Sequence, residues 1–332
     1  MRGALEMRRV ELAQILEEAV ARGASDVHLS AGRPATWRLP TGLVVSEGPP
    51  LSAAEVEEML TASLPAGRQL MPPHGDWSVG LPGVGRFRIH AFRQRGSWAA
   101  AIRVIPDRIP RREELGLPPV TEEWIAQRRG LVVIAGDRGS GRTTTLACLV
   151  DSINRSQPRH VVVIEDPIEY LHRHQRGLVN QRELGTDVAS VQQALQGALR
   201  ADVDVLALGL PLEPEDLSLV LRASEHCLVL TIASGRSVTE VVGWLLGSAG
   251  EWRRRMLARS LVGIIVQALV PRADGRGRVL ASEVLVVTEV VRKILEEGRD
   301  HQLVPAMEAG GRWGMRTMQM HLEELRQQGV IQ

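Results

Sequence analysis

Eight consecutive residues carry the clearest chemistry in the chain: Gly136-Asp137-Arg138-Gly139-Ser140-Gly141-Arg142-Thr143. Their frame is that of a phosphate-binding loop. Glycines let successive backbone N–H groups curl around phosphate oxygens, and the helix that follows directs its positive N-terminal end at them. One residue departs from the frame, which calls for lysine, a compact ammonium that reaches the terminal phosphates. Arg142 keeps the charge but brings a wider, planar, fork-shaped cation, expected to misplace a terminal phosphate or push into the loop. Thr143 would hold Mg²⁺ through its hydroxyl, and Gly136, Gly139, Ser140, Gly141 and Thr144 complete the expected set for ATP or ADP. Lys293 is the single lysine of the chain, so arginine-for-lysine drift explains how the exchange arose. Tolerating it at a shape-critical position still implies a relaxed demand for turnover.

Such a loop works only when a strand delivers it and a helix leaves from it. Residues 131–135 are a short, continuously apolar run that predicts a buried strand, and residues 143–154 carry Leu146, Leu149, Val150 and Ile153 at helical spacing. Apolar runs at 160–164, 204–208 and 228–232 alternate with helical patterns, which predicts a parallel sheet with helices on both faces. Upstream, residues 10–22 read as an amphipathic helix ended by Gly23, strand patterns fall at 25–29, 77–79, 85–93 and 98–104, and a helix is expected near 53–63. That pattern is a small α+β domain. Residues 105–119 contain four prolines and read as an extended connector. The expected division is a domain over 1–108, a linker over 109–120 and a domain over 121–332. The last part reads as mostly helical, interrupted by apolar runs at 264–270 and 279–287.

Composition narrows the classes. A chain of 332 residues suits two domains, each with its own core. A net charge of +1 argues against nucleic acid as the main ligand, and one tyrosine with two phenylalanines leaves too few rings for base-stacking platforms. Cys148 and Cys227 lie far apart in apolar segments, cannot build a metal quartet, and fit a reducing cytoplasm. No apolar run approaches the ~18 residues of a membrane span, and no signal-peptide core is present. The expectation is a soluble protein whose membrane contact goes through a partner.

Residues 163–170, Val-Ile-Glu-Asp-Pro-Ile-Glu-Tyr, resemble the Asp box of the type II/IV secretion and pilus ATPases. Further matches at 24–30, 86–92, 178–183, 194–204 and 311–318 agree in order and spacing over nearly the whole chain. It looks most like the PilT/PilU branch, the hexameric retraction and twitching-motility motors; the four-cysteine metal site of the extension motors is missing. The resemblance implies an α/β chain with a small N-terminal α+β (PAS-like) domain, then a RecA-like P-loop NTPase domain with a helical C-terminal region. It implies a homo- or hetero-hexamer, with itself or with an active PilT-like paralogue, docked on an inner-membrane pilus platform protein. Glu165 and Glu169 take the acidic Asp-box positions, the first of which helps position attacking water or Mg²⁺. Arg88 and Arg93 fall where the family's arginines reach the nucleotide from the side opposite the P-loop. A solvated edge-strand charge is the alternative for Arg88.

Three departures from the family pattern bear on activity. Its Walker B strand runs into Gly-Glu-x-Arg-Asp, the glutamate serving as general base, whereas here Gly209 is followed by Leu210-Pro211-Leu212-Glu213. Leucine thus holds the base position, and a second leucine the arginine position. The two His-box positions hold Cys227 and Ser234. His226 lies one residue off, which on a strand turns a side chain to the other face. Removing one placed acid/base group lowers a rate by a factor of ~10²–10⁴. The leading expectation is therefore a nucleotide-binding ring subunit with impaired or lost hydrolysis. An active retraction ATPase using Glu165 and Arg142 is one alternative, and a nucleotide-free structural or regulatory scaffold is another.

Other residues receive structural readings. His172 and His174 follow the Asp box on an expected exposed loop, too few ligands for a metal. Arg253-Arg254-Arg255 reads as a solvated helix face. Met315, Met318 and Met320 are expected in a core.

Overall fold

Period-two alternation organises the N-terminal part of the computed structural model, which describes residues 2–39, 41–65, 69–70, 73–105, 108–247 and 250–332. By contacts the chain divides into two units, Met1–Arg108 with Pro167–Leu171 and Ile109–Asp166 with His172–Gln332. The first contains α1 (Arg2–Ala21), β1 (Asp26–Ser30), β2 (Thr36–Leu39), β3 (Gly42–Val45), α2 (Ala53–Ser63), β4 (His74–Leu81), β5 (Gly85–Gln94) and β6 (Ser97–Ile105). The six strands form one antiparallel sheet in the order β3-β2-β1-β6-β5-β4. Along β5, Phe87, Ile89 and Ala91 are buried while Arg88 and His90 are exposed. Leu12 and Leu16 of α1, with Val56, Met59 and Leu60 of α2, cover that apolar face in a core shared with Val27, Leu29 and Ile102. α2 starts at a capping box: Ser52 Oγ accepts from Glu55 N (3.2 Å) and Glu55 Oε2 accepts from Ser52 N (2.8 Å).

The second unit contains α3 (Arg112–Leu115), α4 (Val120–Ala126), β7 (Gly130–Gly136), α5 (Arg142–Ser156), β8 (His160–Glu165), β9 (Leu178–Glu183) and α6 (Val191–Leu199). It continues with β10 (Val205–Gly209), α7 (Asp216–Ala223), β11 (Leu228–Ala233), α8 (Val238–Leu246), α9 (Gly250–Ser260), β12 (Leu261–Pro271) and β13 (Arg278–Val286). Helices α10 (Glu289–Glu296), α11 (Leu303–Ala309) and α12 (Met318–Gln327) close the chain. Seven strands line up as β13-β12-β7-β11-β10-β8-β9. β7, β10 and β11 are buried at every residue, as strands covered on both faces must be.

Several expectations need correction. The sheet is mixed, because β13 pairs antiparallel with β12 at one edge. The apolar runs at 264–270 and 279–287 belong to those two sheet strands. β12 is apolar on both sides, a pattern that periodicity alone does not separate from a buried helix. Within the expected connector, residues 112–115 make a helical turn, and Ile109 and Leu117 are buried. The arginine run is not one solvated face: Arg253 is buried, Arg254 pairs with Asp300 at 2.8 Å, and Arg255 alone is well exposed. Met315 is buried, and Met318 packs against a small cluster of Ala281, Leu325 and Ile331, but Met320 is exposed. Among the described residues no helix is long and apolar enough to cross a membrane.

Two packing details lead to tests. At Gly263 an added Cβ would lie 2.3 Å from Cζ2 of buried Trp124 on α4 and 3.0 Å from the Leu285 carbonyl oxygen of β13. Gly263→Ala should destabilise the unit by about 1–3 kcal/mol, the usual range for overpacking, read as a lowered melting temperature. Buried His321 accepts the Ser282 N–H at Nδ1 (2.9 Å), and burial, reinforced by Arg316, pushes its pKa down to about 4. A base depressed on folding contributes stability that is complete above its unfolded value of about 6.5 and is lost as pH falls through the folded one. Melting temperature should therefore drop between pH 7 and pH 4. The drop should be shallower in His321→Gln, whose amide oxygen can take the same bond without titrating.

Candidate functional site

The glycine loop leaves the carboxyl end of β7 and enters α5, as its sequence predicts. β7 delivers it between two parallel neighbours: β11 pairs along Gly130–Ala135, and β12 brings Gln267 opposite Gly136. Gly136 has φ +153, and a Cβ there would lie 2.4 Å from both the Gln267 carbonyl oxygen and Ser140 Oγ, so only glycine fits. Gly141, at φ +90, turns the chain into α5, and its carbonyl accepts the Thr145 N–H at 2.9 Å. The first turn of α5, from Arg142 through Thr143 and Thr144, thus faces the loop with amides that the helix itself does not bond. Loop and helix dipole together fit an oxyanion.

Buried Gln267 is the residue that the sequence reading missed. Its Nε2 donates to the Ser140 carbonyl at 2.8 Å, binding the middle of the loop to β12, and Ser140 itself is buried. The available signal was a lone polar residue inside the apolar run of β12. A second brace is outside the core: Arg236 Nε donates to both oxygens of Asp137, at 2.9 and 3.2 Å.

Arg142 does not lie along the loop. Its Nη1 donates to the Ala233 carbonyl at 2.6 Å and to Ser234 Oγ at 3.2 Å, both at the carboxyl end of β11. Burial lowers the guanidinium pKa, Asp137 opposing, and the group stays protonated at any working pH. The cation is thus held sideways by the residue at the second His-box position.

Glu165 ends β8 and is buried, with Oε2 accepting from Gln181 Nε2 at 3.1 Å. Gly209 of β10 is its register partner, and a Cβ there would come within 2.8 Å of Glu165 Cγ. The carboxylate therefore stands at the carboxyl edge of the sheet, the edge that also carries the glycine loop. Directly after Gly209, Leu210 and Leu212 turn inward and join the main core with Leu217 and Val220. The next buried carboxylate, Asp216, is used locally: it accepts from Glu213 N at 3.1 Å and from Gln192 Nε2 at 2.6 Å. Cys227 is buried, burial pushing its thiol up to about 11, and His226 is exposed in the turn before β11.

The other expected residues fall elsewhere. Glu169 belongs to Pro167–Leu171, in the first unit. Arg88 and Arg93 project from opposite faces of β5, their separation being odd. Arg88 is exposed, 3.9 Å from Asp76, while Arg93 stacks its guanidinium 4.9 Å from the centre of its cross-strand partner Trp98 and donates to the Gly96 carbonyl. His174 is exposed as expected, but His172 is largely buried and burial pushes its pKa down to about 4. No group of three or more possible metal ligands is found among the described residues.

A buried mainly parallel sheet, a glycine loop at its carboxyl edge and an α helix springing from that loop define the P-loop class of α/β folds. Within that class the chain belongs to the type II/IV secretion system protein family, whose model matches residues 5–328. It is 34% identical to the type IV pilus retractation ATPase PilT of Pseudomonas aeruginosa, over 97% of this chain and 96% of that protein. It is 36% identical to a twitching motility protein of Neisseria gonorrhoeae, over 85% and 78% of the two chains. PilU, the type IV pilus ATPase of P. aeruginosa, is 31% identical over 97% of this chain and 86% of its own length. Among solved structures, the pilus retraction motor PilT with bound ADP matches at 35% identity and a TM-score of 0.88, covering 96% of this chain and 94% of that one. The Legionella pneumophila ATPase DotB matches at 26% identity and a TM-score of 0.85, covering 98% and 93%. The α/β fold expected from sequence is therefore that of these ATPases.

If Gln267 fixes the loop, Gln267→Leu should loosen it, because a buried carbonyl left without a donor costs about 1–3 kcal/mol. Hydrogen exchange at amides 138–142 should accelerate relative to the rest of the unit, with a moderate fall in melting temperature.

Proposed function

We propose that the chain is a nucleotide-binding ring subunit of the pilus-motor type whose capacity to hydrolyse ATP is strongly impaired. The observation that carries this reading is the placement of Leu210 inside the core, at the position where the family holds its general base. Leucine accepts no proton, and no carboxylate follows it until Glu213. The sideways anchoring of Arg142 on Ala233 and Ser234 points the same way, since it withdraws the loop cation from the terminal phosphate position. The preserved cradle of Gly136, Gly139, Ser140 and Gly141 supports retained binding of ATP or ADP, with Thr143 offering its hydroxyl to Mg²⁺ and Thr144 in the first helical turn. Glu165 supplies a buried carboxylate at the same sheet edge as the loop, and Glu169 keeps its family position. Of the two arginines in the first unit, Arg88 is the one available to a ligand, and Arg93 is engaged in its own hairpin.

In this reading residues 1–108 and 121–332 act as the two domains of a hexamer subunit, joined through 109–120. Rings form with itself or with an active PilT-like paralogue, at the cytoplasmic face of the inner membrane through a pilus platform protein. Calorimetry on the purified chain should detect binding of ATP and ADP with Mg²⁺, while phosphate release should run at least ~10²-fold below that of an active pilus motor assayed alongside, the smallest loss expected for a missing base. Turnover at motor-like rates, abolished by Gly141→Val, would reject the proposal in favour of catalysis by Glu165 and Arg142. In that case Arg142→Lys would lower activity, whereas a silent site has none to lose. Absence of binding at millimolar nucleotide would leave the scaffold reading.

A further inference from the structure

A cavity of about 610 Å³ opens in the second unit at the end of the sheet opposite the glycine loop. Gly130, which begins β7, and Leu261, which begins β12, both line it. The phosphate loop leaves the far end of β7, about 20 Å away at ~3.3 Å per residue. Ligands of such folds bind at the carboxyl edge, so this cavity is no extension of the nucleotide site.

Its walls combine three chemistries. Leu261, Val262, Val286 and Val287 supply apolar surface. Trp124 and Ser260 line it as well; both are at least nine-tenths buried, and neither Trp124 Nε1 nor Ser260 Oγ has a hydrogen-bond partner among the described residues. Three guanidiniums, Arg129, Arg259 and Arg292, join them, against two exposed carboxylates, Glu123 and Glu225.

The lining is held in place before any ligand arrives. The Trp124 ring lies against Gly263, where a Cβ would come within 2.3 Å of it. Arg292 Nη1 donates to the Ala258 carbonyl at 2.6 Å and to the Arg259 carbonyl at 3.4 Å, closing the end of α9 and fixing its fork at the cavity. Rigid apolar walls and an excess of guanidinium define what fits: a flat apolar body carrying an oxyanion.

We propose that this cavity is a second ligand site, taking a small organic anion of the aryl phosphate or aryl carboxylate kind. It is independent of the nucleotide reading. The test is calorimetric titration of the full chain with phenyl phosphate, alone and with excess ATP and Mg²⁺. Saturable binding at one site per chain is expected, undisturbed by ATP, with inorganic phosphate and phenol each at least about tenfold weaker. Arg129 and Arg259 are exposed, so Arg129→Gln/Arg259→Gln should fold normally and weaken binding by roughly tenfold or more, the range for lost bonds to charged groups. No saturable binding, displacement by ATP, or unchanged affinity in the double variant would each overturn the proposal.

Discussion

The seam between β7 and β12 is the contact on which the nucleotide-type site rests. At its carboxyl end Gly136 meets the Gln267 backbone so closely that no side chain can intervene, and the Gln267 amide then takes the Ser140 carbonyl. A buried amide and a buried carbonyl must find partners. By finding each other they hold the loop in its cradle shape before any phosphate arrives. The same seam is tight at its other end, where a Cβ on Gly130 would lie 2.4 Å from Val262 Cγ2 and Gly263 accepts the Trp124 ring. The glycine loop and the cavity lined by Gly130 therefore lie at opposite ends of one rigid strand pair.

Around that fixed cradle, the positions that the proposed reading assigns to catalysis include packed core side chains. Leu210 and Leu212 are packed core residues, and burying a leucine side chain contributes about 1.5–3 kcal/mol. A carboxylate at Leu210 would be desolvated there unless a cation offset the burial. The proposed loss of hydrolysis is thus built into the packing of the segment between β10 and α7, where Asp216 closes the turn by accepting from Glu213 N and Gln192 Nε2. Glu165 stays at the sheet edge, bonded to Gln181, with room above it secured by Gly209.

Much of this was legible in the sequence because local pattern and tertiary role agree there. The apolar run before Gly136 and the helical spacing after Thr143 each specify their own structure. The β12–β13 hairpin was not legible, since a strand buried on both faces has no alternation to read. Gln267 stood out only as a lone polar residue in an apolar run, because its role depends on a partner 127 positions away. The arginine triplet misled because charge in a row suggests solvent, while helical geometry points its members in three directions and sends Arg253 inward. Arg88 and Arg93 could have been separated beforehand, since an odd spacing on a strand places them on opposite faces.

Arg142 and Ser234 look in the sequence like two separate departures, one in the phosphate loop and one in the His box. In the fold they touch. A guanidinium is longer and wider than an ammonium and needs acceptors spread across its fork. It finds them in the Ala233 carbonyl and the Ser234 hydroxyl, where a histidine ring would occupy the space that the fork enters. Residues in contact do not contribute independently, so in the proposed reading the two departures amount to a single rearrangement. The cation then serves to tie the loop helix to the neighbouring strand, a structural role that survives whether or not a terminal phosphate is ever cleaved.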